Sequence, residues 1–216
     1  MRGAQATARP SSDDRRAAML AIARAAFLGE GYAAASMAEI AAKIGGSKAT
    51  LYSYFPSKKD LFVAVIKDEV RRMFVPLFEM DETQGAFRMV LERFARRFLD
   101  LLLTEDSISF YRLVVAESAR FPEIGQAAYQ SGVQPGLDQL AGIFGAAVER
   151  GELRRAEASV AVTQFLNLCS GELHRRRLFG IVGADDPDAV EKQARNAVAT
   201  FLAAYGVGEM SGAARA

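Results

Sequence analysis

Apolar residues recur at helical spacing along nearly the whole chain and do not alternate with polar ones. A sequence with that pattern buries a core only as packed helices. Leu20, Ala23 and Phe27 fall at i, i+3 and i+7, and Met37, Ile40, Ala41 and Ile44 at i, i+3, i+4 and i+7. Further on, Phe87, Val90, Leu91, Phe94, Phe98, Leu101 and Leu102 form one stripe. Val162, Phe165, Leu166, Cys169 and Leu173 form a second, and Ala194, Ala197, Val198, Phe201, Leu202 and Tyr205 a third. No period-two run bounded by turn pairs is present, so no sheet is expected. The expected fold class is all-α, with about nine helices.

The breaks between stripes divide the chain. Gly29 and Gly31 are expected to stop the first helix. Ser36 with Glu39 makes a capping-box start for a short second one, which Gly45-Gly46 ends. Ser47 is placed to cap a third helix carrying Leu51, Tyr52 and Phe55. Pro56 ends that helix, because it disfavours helical angles in the residue before it. Ser57 with Asp60 opens a fourth. Phe121-Pro122 is expected to interrupt the chain, and Gly132 to Gly136, with Pro135, to interrupt it again. Gly151 marks a further stop, and Asp186-Pro187 starts the last helix with an Asp cap and Pro in first position. The expected organisation is a disordered arm at 1–12, a helix-turn-helix unit at 13–57, a helical body at 58–206 and a flexible tail at 207–216.

A chain of 216 residues, half of them apolar and a quarter charged, buries a core without staples. One Cys allows no internal disulfide, and one His with one Cys does not make a zinc site. No apolar run approaches the roughly 20 residues of a membrane span, and the first residues lack the apolar segment of a secretory signal. The expectation is a soluble cytoplasmic protein with no membrane association, metal or cofactor. Charge is uneven: residues 1–59 hold nine Lys or Arg against four Asp or Glu, and the remainder eighteen against twenty-two. A basic head on a mildly acidic body points to a polyanion at the head.

Residues 36–62, SMAEIAAKIGGSKATLYSYFPSKKDLF, concentrate the chemistry. Two short helices flank a Gly turn, the layout whose second helix enters a DNA major groove. The helix after Ser47 offers Lys48, Thr50, Tyr52, Ser53 and Tyr54, a mixture of cationic, hydroxyl and phenolic donors suited to phosphate oxygens. Lys58 and Lys59 open the next helix. Cations there oppose the helix dipole, so these lysines make more sense with anionic partners.

This segment resembles the DNA-binding region of TetR-family (AcrR-like) transcriptional regulators. The resemblance rests on Gly31-Tyr32, Ser36-Met37, Ile40-Ala41, Gly45, Ser47-Lys48, Thr50-Leu51-Tyr52, Tyr54-Phe55, Ser57-Lys58 and Leu61-Phe62, and runs from about Ala17 to Val65. Residues 110–122, FYRLVVAESARFP, resemble a segment of many AcrR-like members less specifically. Gly46 departs from the pattern, which commonly has Val there. The resemblance implies that Ser36, Thr50, Tyr52, Tyr54 and Lys58 hold phosphates and that Ser47, Lys48, Ala49 and Ser53 face the groove. Lys48 is the candidate for guanine O6/N7, and Ala49 is small enough for close approach. Ile40, Ala41, Leu51, Phe55, Leu61 and Phe62 fall to the core.

The resemblance also implies a homodimer through the last two helices, a palindromic double-stranded DNA operator, repression, and release by a small-molecule effector. Ala-rich surface on the last helix, and Val160, Leu168 and Ile181 off the main stripe before it, are compatible with a second helical partner. For the effector pocket the candidates are Phe78, Phe94, Phe98, Phe110, Tyr111, Val114, Phe144, Gln164, Phe165, Asn167 and Leu168. These combine apolar surface with a few polar groups, as ligand sites do. His174, beside Arg175-Arg176-Arg177, reads as part of a solvated or interfacial face.

Enzyme readings find no footing. Gly45-Gly46-Ser47-Lys48 lacks both the Gly-Lys pair and the preceding strand of a phosphate loop. A single His excludes HExxH zinc chemistry, and Cys169 has no base beside it in sequence. The alternative to a regulator is a helical ligand-binding or adaptor protein with a non-functional DNA head. Lys48, Lys58 and Lys59 weigh against it.

Overall fold

A computed structural model describes residues 11–45, 47–78, 86–181 and 186–207. Gly46, most of the expected arm and nearly all of the expected tail lie outside the described residues. The elements are α1 (Ser12–Ala34), α2 (Met37–Ile44), α3 (Lys48–Tyr54), α4 (Lys58–Phe78), α5 (Phe87–Leu102) and α6 (Glu105–Ser118). They continue with α7 (Pro122–Ala128), a π-helical turn (Tyr129–Val133), α8 (Gln134–Glu149), α9 (Ala158–Leu178) and α10 (Pro187–Tyr205). Among the described residues there is no strand, only an isolated antiparallel bridge between Leu153 and Gly206. The all-α expectation holds.

Local chemistry explains the helix ends. Ser11 caps α1 in a full capping box with Asp14, so the helix begins at the edge of the expected arm. Asp186 caps α10 by accepting from the N–H groups of Asp188 and Ala189, with Pro187 in first position as expected. Gly29 does not stop α1. Gly31 distorts it instead, with φ of 79°, and helix resumes to Ala34. The interruption expected at Gly132 to Gly136 is also absent. Ala128, Val133 and Gln134 all keep helical angles, so α7, the π turn and α8 follow without a break. A π turn absorbs one extra residue without leaving the helix, and Pro135 follows it in the first turn of α8. Counted as one rod, these three segments bring the described helices to nine.

The chain divides into two compact units. One holds the described residues up to Glu69 together with Leu113–Ala127; the other holds Val70–Arg112 and the described residues from Ala128 onward. The unit containing the helix-turn-helix thus extends past the expected boundary at 57. The reason is packing: Leu61, Phe62 and Ile66 of α4 are fully buried. Phe62 meets Phe27 and Tyr32 at ring distances of 4.7 Å each, and Tyr32 meets Phe121 at 4.9 Å.

The second unit is built on an aromatic core from α5, α8, α9 and α10. Phe165 lies 6.0 Å from Phe94, 5.7 Å from Phe144 and 5.1 Å from Phe201, centroid to centroid. Phe87, Val90, Leu91, Phe94, Ala95, Phe98 and Leu99 of α5 are all buried, which is the expected stripe. Each such Phe contributes about 1.5–3 kcal/mol relative to exposure. α9 is interrupted at Gly171 (φ 42°, ψ −141°), where Gln193 of α10 donates from Nε2 to the Leu168 carbonyl at 2.7 Å. Arg112 donates to the carbonyls of Arg177 and Leu178, satisfying the end of α9. Arg177 is itself buried and donates to Leu103 O and Glu105. Of the three-arginine run, that residue belongs to the interior and not to a solvated face.

Candidate nucleic-acid interface

The turn between α2 and α3 is set by two caps. Ser36 Oγ accepts from Ala38 N–H at 3.2 Å and opens α2. Gly45 closes it in the left-handed region (φ 71°), which costs glycine nothing. Ser47 Oγ then accepts from Thr50 N–H at 3.1 Å and lies 2.9 Å from Thr50 Oγ1, so α3 starts where its cap dictates. Ile40, Ala41 and Leu51 are buried and hold the two helices together.

That anchoring leaves Ser47, Lys48, Ala49, Thr50, Tyr52 and Ser53 exposed. Leu51 is the buried residue of α3, so the rest of the helix presents its donors outward. Lys48 Nζ lies 5.9 Å from the centre of the Tyr52 ring, an arrangement that keeps the ammonium over a π face while leaving it hydrated. Ser53 Oγ donates back to Thr50 O at 2.7 Å. Ser36 and Tyr54 are half-buried; Tyr54 Oη lies 3.2 Å from Ser12 Oγ, linking the end of α3 to the start of α1. The nine DNA-contact candidates therefore gather around α3 and the first turns of its neighbours.

The lysines that open α4 both have partners within this unit. Lys58, half-buried, donates to Ala33 O at 2.9 Å and sits 4.8 Å from the centre of the Tyr32 ring. Lys59 Nζ lies 2.9 Å from Glu123 Oε1. The hydrogen bond to Glu123 raises the Lys59 pKa, and Glu123 is lowered by its own backbone N–H and by Lys59. Neither the Glu123 pairing nor the Arg16 guanidinium over the Phe55 ring, 5.5 Å from its centre, carries a signal in the sequence, because each joins residues far apart along the chain.

The effector-pocket candidates are dispersed. Phe94, Phe98, Phe144 and Phe165 pack against one another or their neighbours in the aromatic core. Phe110 is buried, Val114 and Leu168 are half-buried, and Gln164 and Asn167 are exposed. Gln164 accepts from Tyr205 Oη at 2.7 Å. Tyr111 is exposed and meets the edge of His174, whose burial pushes its pKa down. Phe78 lines an open cavity of about 290 Å³ with Arg71, Phe74, Gly132, Gly136 and Gln139. A smaller cavity of about 130 Å³ is lined by Phe144, Leu153 and Tyr205 among others.

Residues 89–207 match the family described as AefR-like transcriptional repressor, C-terminal domain, and residues 19–65 match bacterial regulatory proteins of the tetR family. The chain belongs to the TetR family. It is accordingly a DNA-binding transcriptional regulator, not an enzyme, and the adaptor alternative falls away. The transcriptional activator FasR of Mycolicibacterium smegmatis is 34% identical over 102 residues, covering 47% of this chain and 46% of FasR. The regulator EthR of the same organism is 39% identical over 66 residues, 31% of this chain and 30% of EthR. The chain thus spans less than half the length of these curated relatives. Among solved structures, the flavonoid-responsive regulator FrrA superposes with a TM-score of 0.79 at 31% identity, covering 90% of this chain and 98% of FrrA. A TetR-family regulator from Mesorhizobium loti gives 0.78 at 28%, covering 92% and 100%. Among the described residues, no helix is long and apolar enough to cross a membrane.

Proposed function

We propose that this TetR-family regulator is a repressor that binds a palindromic operator as a homodimer and leaves it when a small molecule binds the second unit. The observation that carries the DNA contact is the outward face of α3, where Lys48, Ala49, Tyr52 and Ser53 stand exposed above a single buried anchor, Leu51. Lys48 reads a base edge, Ala49 permits close approach, and Ser36, Ser47, Thr50, Tyr52, Ser53, Tyr54 and Lys58 hold backbone phosphates or the groove edge. Repression is supported by the family description of residues 89–207.

The dimer reading is supported by the outer side of α10, where Asn196, Ala199, Thr200 and Ala203 are exposed and small, and by exposed Val160 in the first turn of α9 and Ile181 after its end. Two-fold symmetry in the protein suits two-fold symmetry in the operator. For the effector, the candidate region is the open cavity beside Phe78, with apolar walls and a few polar groups. FrrA is named as flavonoid-responsive, which supports a small-molecule response in a relative of this similarity. Linkage requires the effector to weaken operator binding by the factor by which operator weakens effector binding; tenfold needs only ~1.4 kcal/mol.

Selection of bound duplexes from a random-sequence pool tests the reading. The expected product is an inverted repeat whose half-sites lie about 34–36 Å apart or a multiple of that, retained by a species that sediments as a dimer. An enriched site without two-fold symmetry, or a monomer that binds it as tightly, overturns the dimer–palindrome reading.

A further inference from the structure

Lys59 and Glu123 are joined by the 2.9 Å contact between Nζ and Oε1, and both side chains keep solvent access, 54% and 35% exposed. The lysine sits in the first turn of α4, next to Lys58 and directly after the reading helix and its Pro56 stop. The glutamate sits on α7, part of the segment that folds with the helix-turn-helix unit. α7 continues through the π turn into α8 without leaving helical angles. A partly exposed ion pair contributes little to stability. Its effect on a polyanion is larger, because a lysine paired with a carboxylate is withheld from phosphate and the carboxylate itself repels the DNA backbone.

We infer that Lys59 is a reserve phosphate contact and that Glu123 is the acidic residue that withholds it, so that the position of α7 sets the strength of DNA binding by one charge contact. Lys58 differs in kind: its partners are a backbone carbonyl and an aromatic ring, neither carrying net charge. Lys59 is held by a full negative charge. Motion of α7 that separates Glu123 from Lys59 adds a cation at the DNA face, and motion that tightens the pair removes one. This regulation rests on the reading that the helix-turn-helix unit binds DNA.

The test uses the full chain and a fluorescent random-sequence duplex, since phosphate contacts are blind to sequence, with affinity measured between about 50 and 200 mM KCl. Glu123→Gln is expected to bind several-fold tighter than the unsubstituted protein, with a log–log salt slope steeper by about 0.9. Lys59→Gln in the Glu123→Gln background is expected to return the slope to the original value, and Lys59→Gln alone to leave it unchanged. Helical circular dichroism and the thermal midpoint establish that each variant is folded. A Glu123→Gln protein with the original slope overturns the inference. So does a double variant as steep as Glu123→Gln alone, which assigns the gain to simple removal of a negative charge. An unsubstituted protein that retains no duplex at low salt overturns the DNA-binding reading instead.

Discussion

Arg24 grips Glu69 at two points, with Nε 2.6 Å from Oε2 and Nη2 2.9 Å from Oε1, and so ties α1 to the fourth turn of α4. The Glu69 side chain is only 6% exposed. Removing Arg24 takes two charge-assisted hydrogen bonds from a buried carboxylate, which is costly. Arg24→Met is therefore expected to destabilise the protein by about 3 kcal/mol, read as a lower denaturant midpoint. Arg24→Met with Glu69→Leu is expected to recover most of that loss. A single variant within 0.5 kcal/mol of the original (roughly the scatter of neutral surface changes) rules out a structural role for the pair.

The proposed DNA contacts of Lys58 and Tyr52 differ in kind, one an ammonium and the other a hydroxyl. Lys58→Met keeps an unbranched apolar side chain and loses the ammonium that lies over Tyr32. Binding is expected to weaken about equally on every sequence, with a salt slope shallower by about 0.9. Tyr52→Phe is expected to cost roughly 0.5–3 kcal/mol of operator affinity through one lost hydroxyl bond. A loss for Lys58→Met confined to the operator contradicts a phosphate role.

Two alanines on α10 separate assembly from folding. Ala197 is 3% exposed and lies in the core of its own subunit, so Ala197→Arg is expected to unfold the chain. Ala199 is exposed. Ala199→Arg is expected to give a folded monomer by sedimentation, with helical content unchanged. A folded dimer from Ala199→Arg places the interface elsewhere.

Gly132 has no room for a methyl group: a Cβ there would overlap Val70 Cγ1, with Val70 Cβ 3.2 Å away. Gly132→Ala is expected to destabilise by about 1–3 kcal/mol. Val70→Ala in the same chain is expected to restore part of it, as a coupling energy in a double-mutant cycle. Purely additive losses contradict the contact.

Cys169 is fully buried, and burial pushes its thiol up to about 12 from 9.0. The folded state keeps the proton to higher pH than the unfolded chain. The resulting stability is complete below about pH 9 and is lost as pH rises toward 12, by about 1.4 kcal/mol per unit. Denaturant midpoints at pH 8 and 10 are expected to fall further apart for the original protein than for Cys169→Ala. Iodoacetamide is expected to label Cys169 only at the rate of unfolding. Equal pH responses, or rapid native labelling, contradict the burial argument.

Local signals were readable along the chain and long-range ones were not. The caps at Ser47 and Asp186, and the buried stripe of α5, depend on residues a turn or two apart, so spacing alone reveals them. The outward face of α3 was legible for the same reason. Gly29 and Gly31 look alike in sequence, yet only Gly31 takes a positive φ. Gly132 and Pro135 resemble a chain break but occupy a π turn and the start of a helix. A stripe of Phe cannot distinguish a packed core from a lined cavity, because both place aromatic rings on one helix face; Phe144 and Phe165 fill the core, and Phe78 lines an opening. Lys58 on Ala33, Lys59 on Glu123 and Arg24 on Glu69 join residues that only tertiary packing brings together.

The interruption at Gly171 gives α9 an unusual stiffness profile. In an unbroken helix the carbonyl of Leu168 meets an N–H four residues on, and bending there stretches that bond. Here the carbonyl is satisfied by the Gln193 amide, and any side chain at position 171 would press against that amide, with Cβ 2.6 Å from Nε2. The rigidity of α9 at this point is therefore lent by α10. Tilting the stretch that carries His174 and Arg177 loads a side-chain contact between two helices, leaving the backbone ladder on either side unstrained.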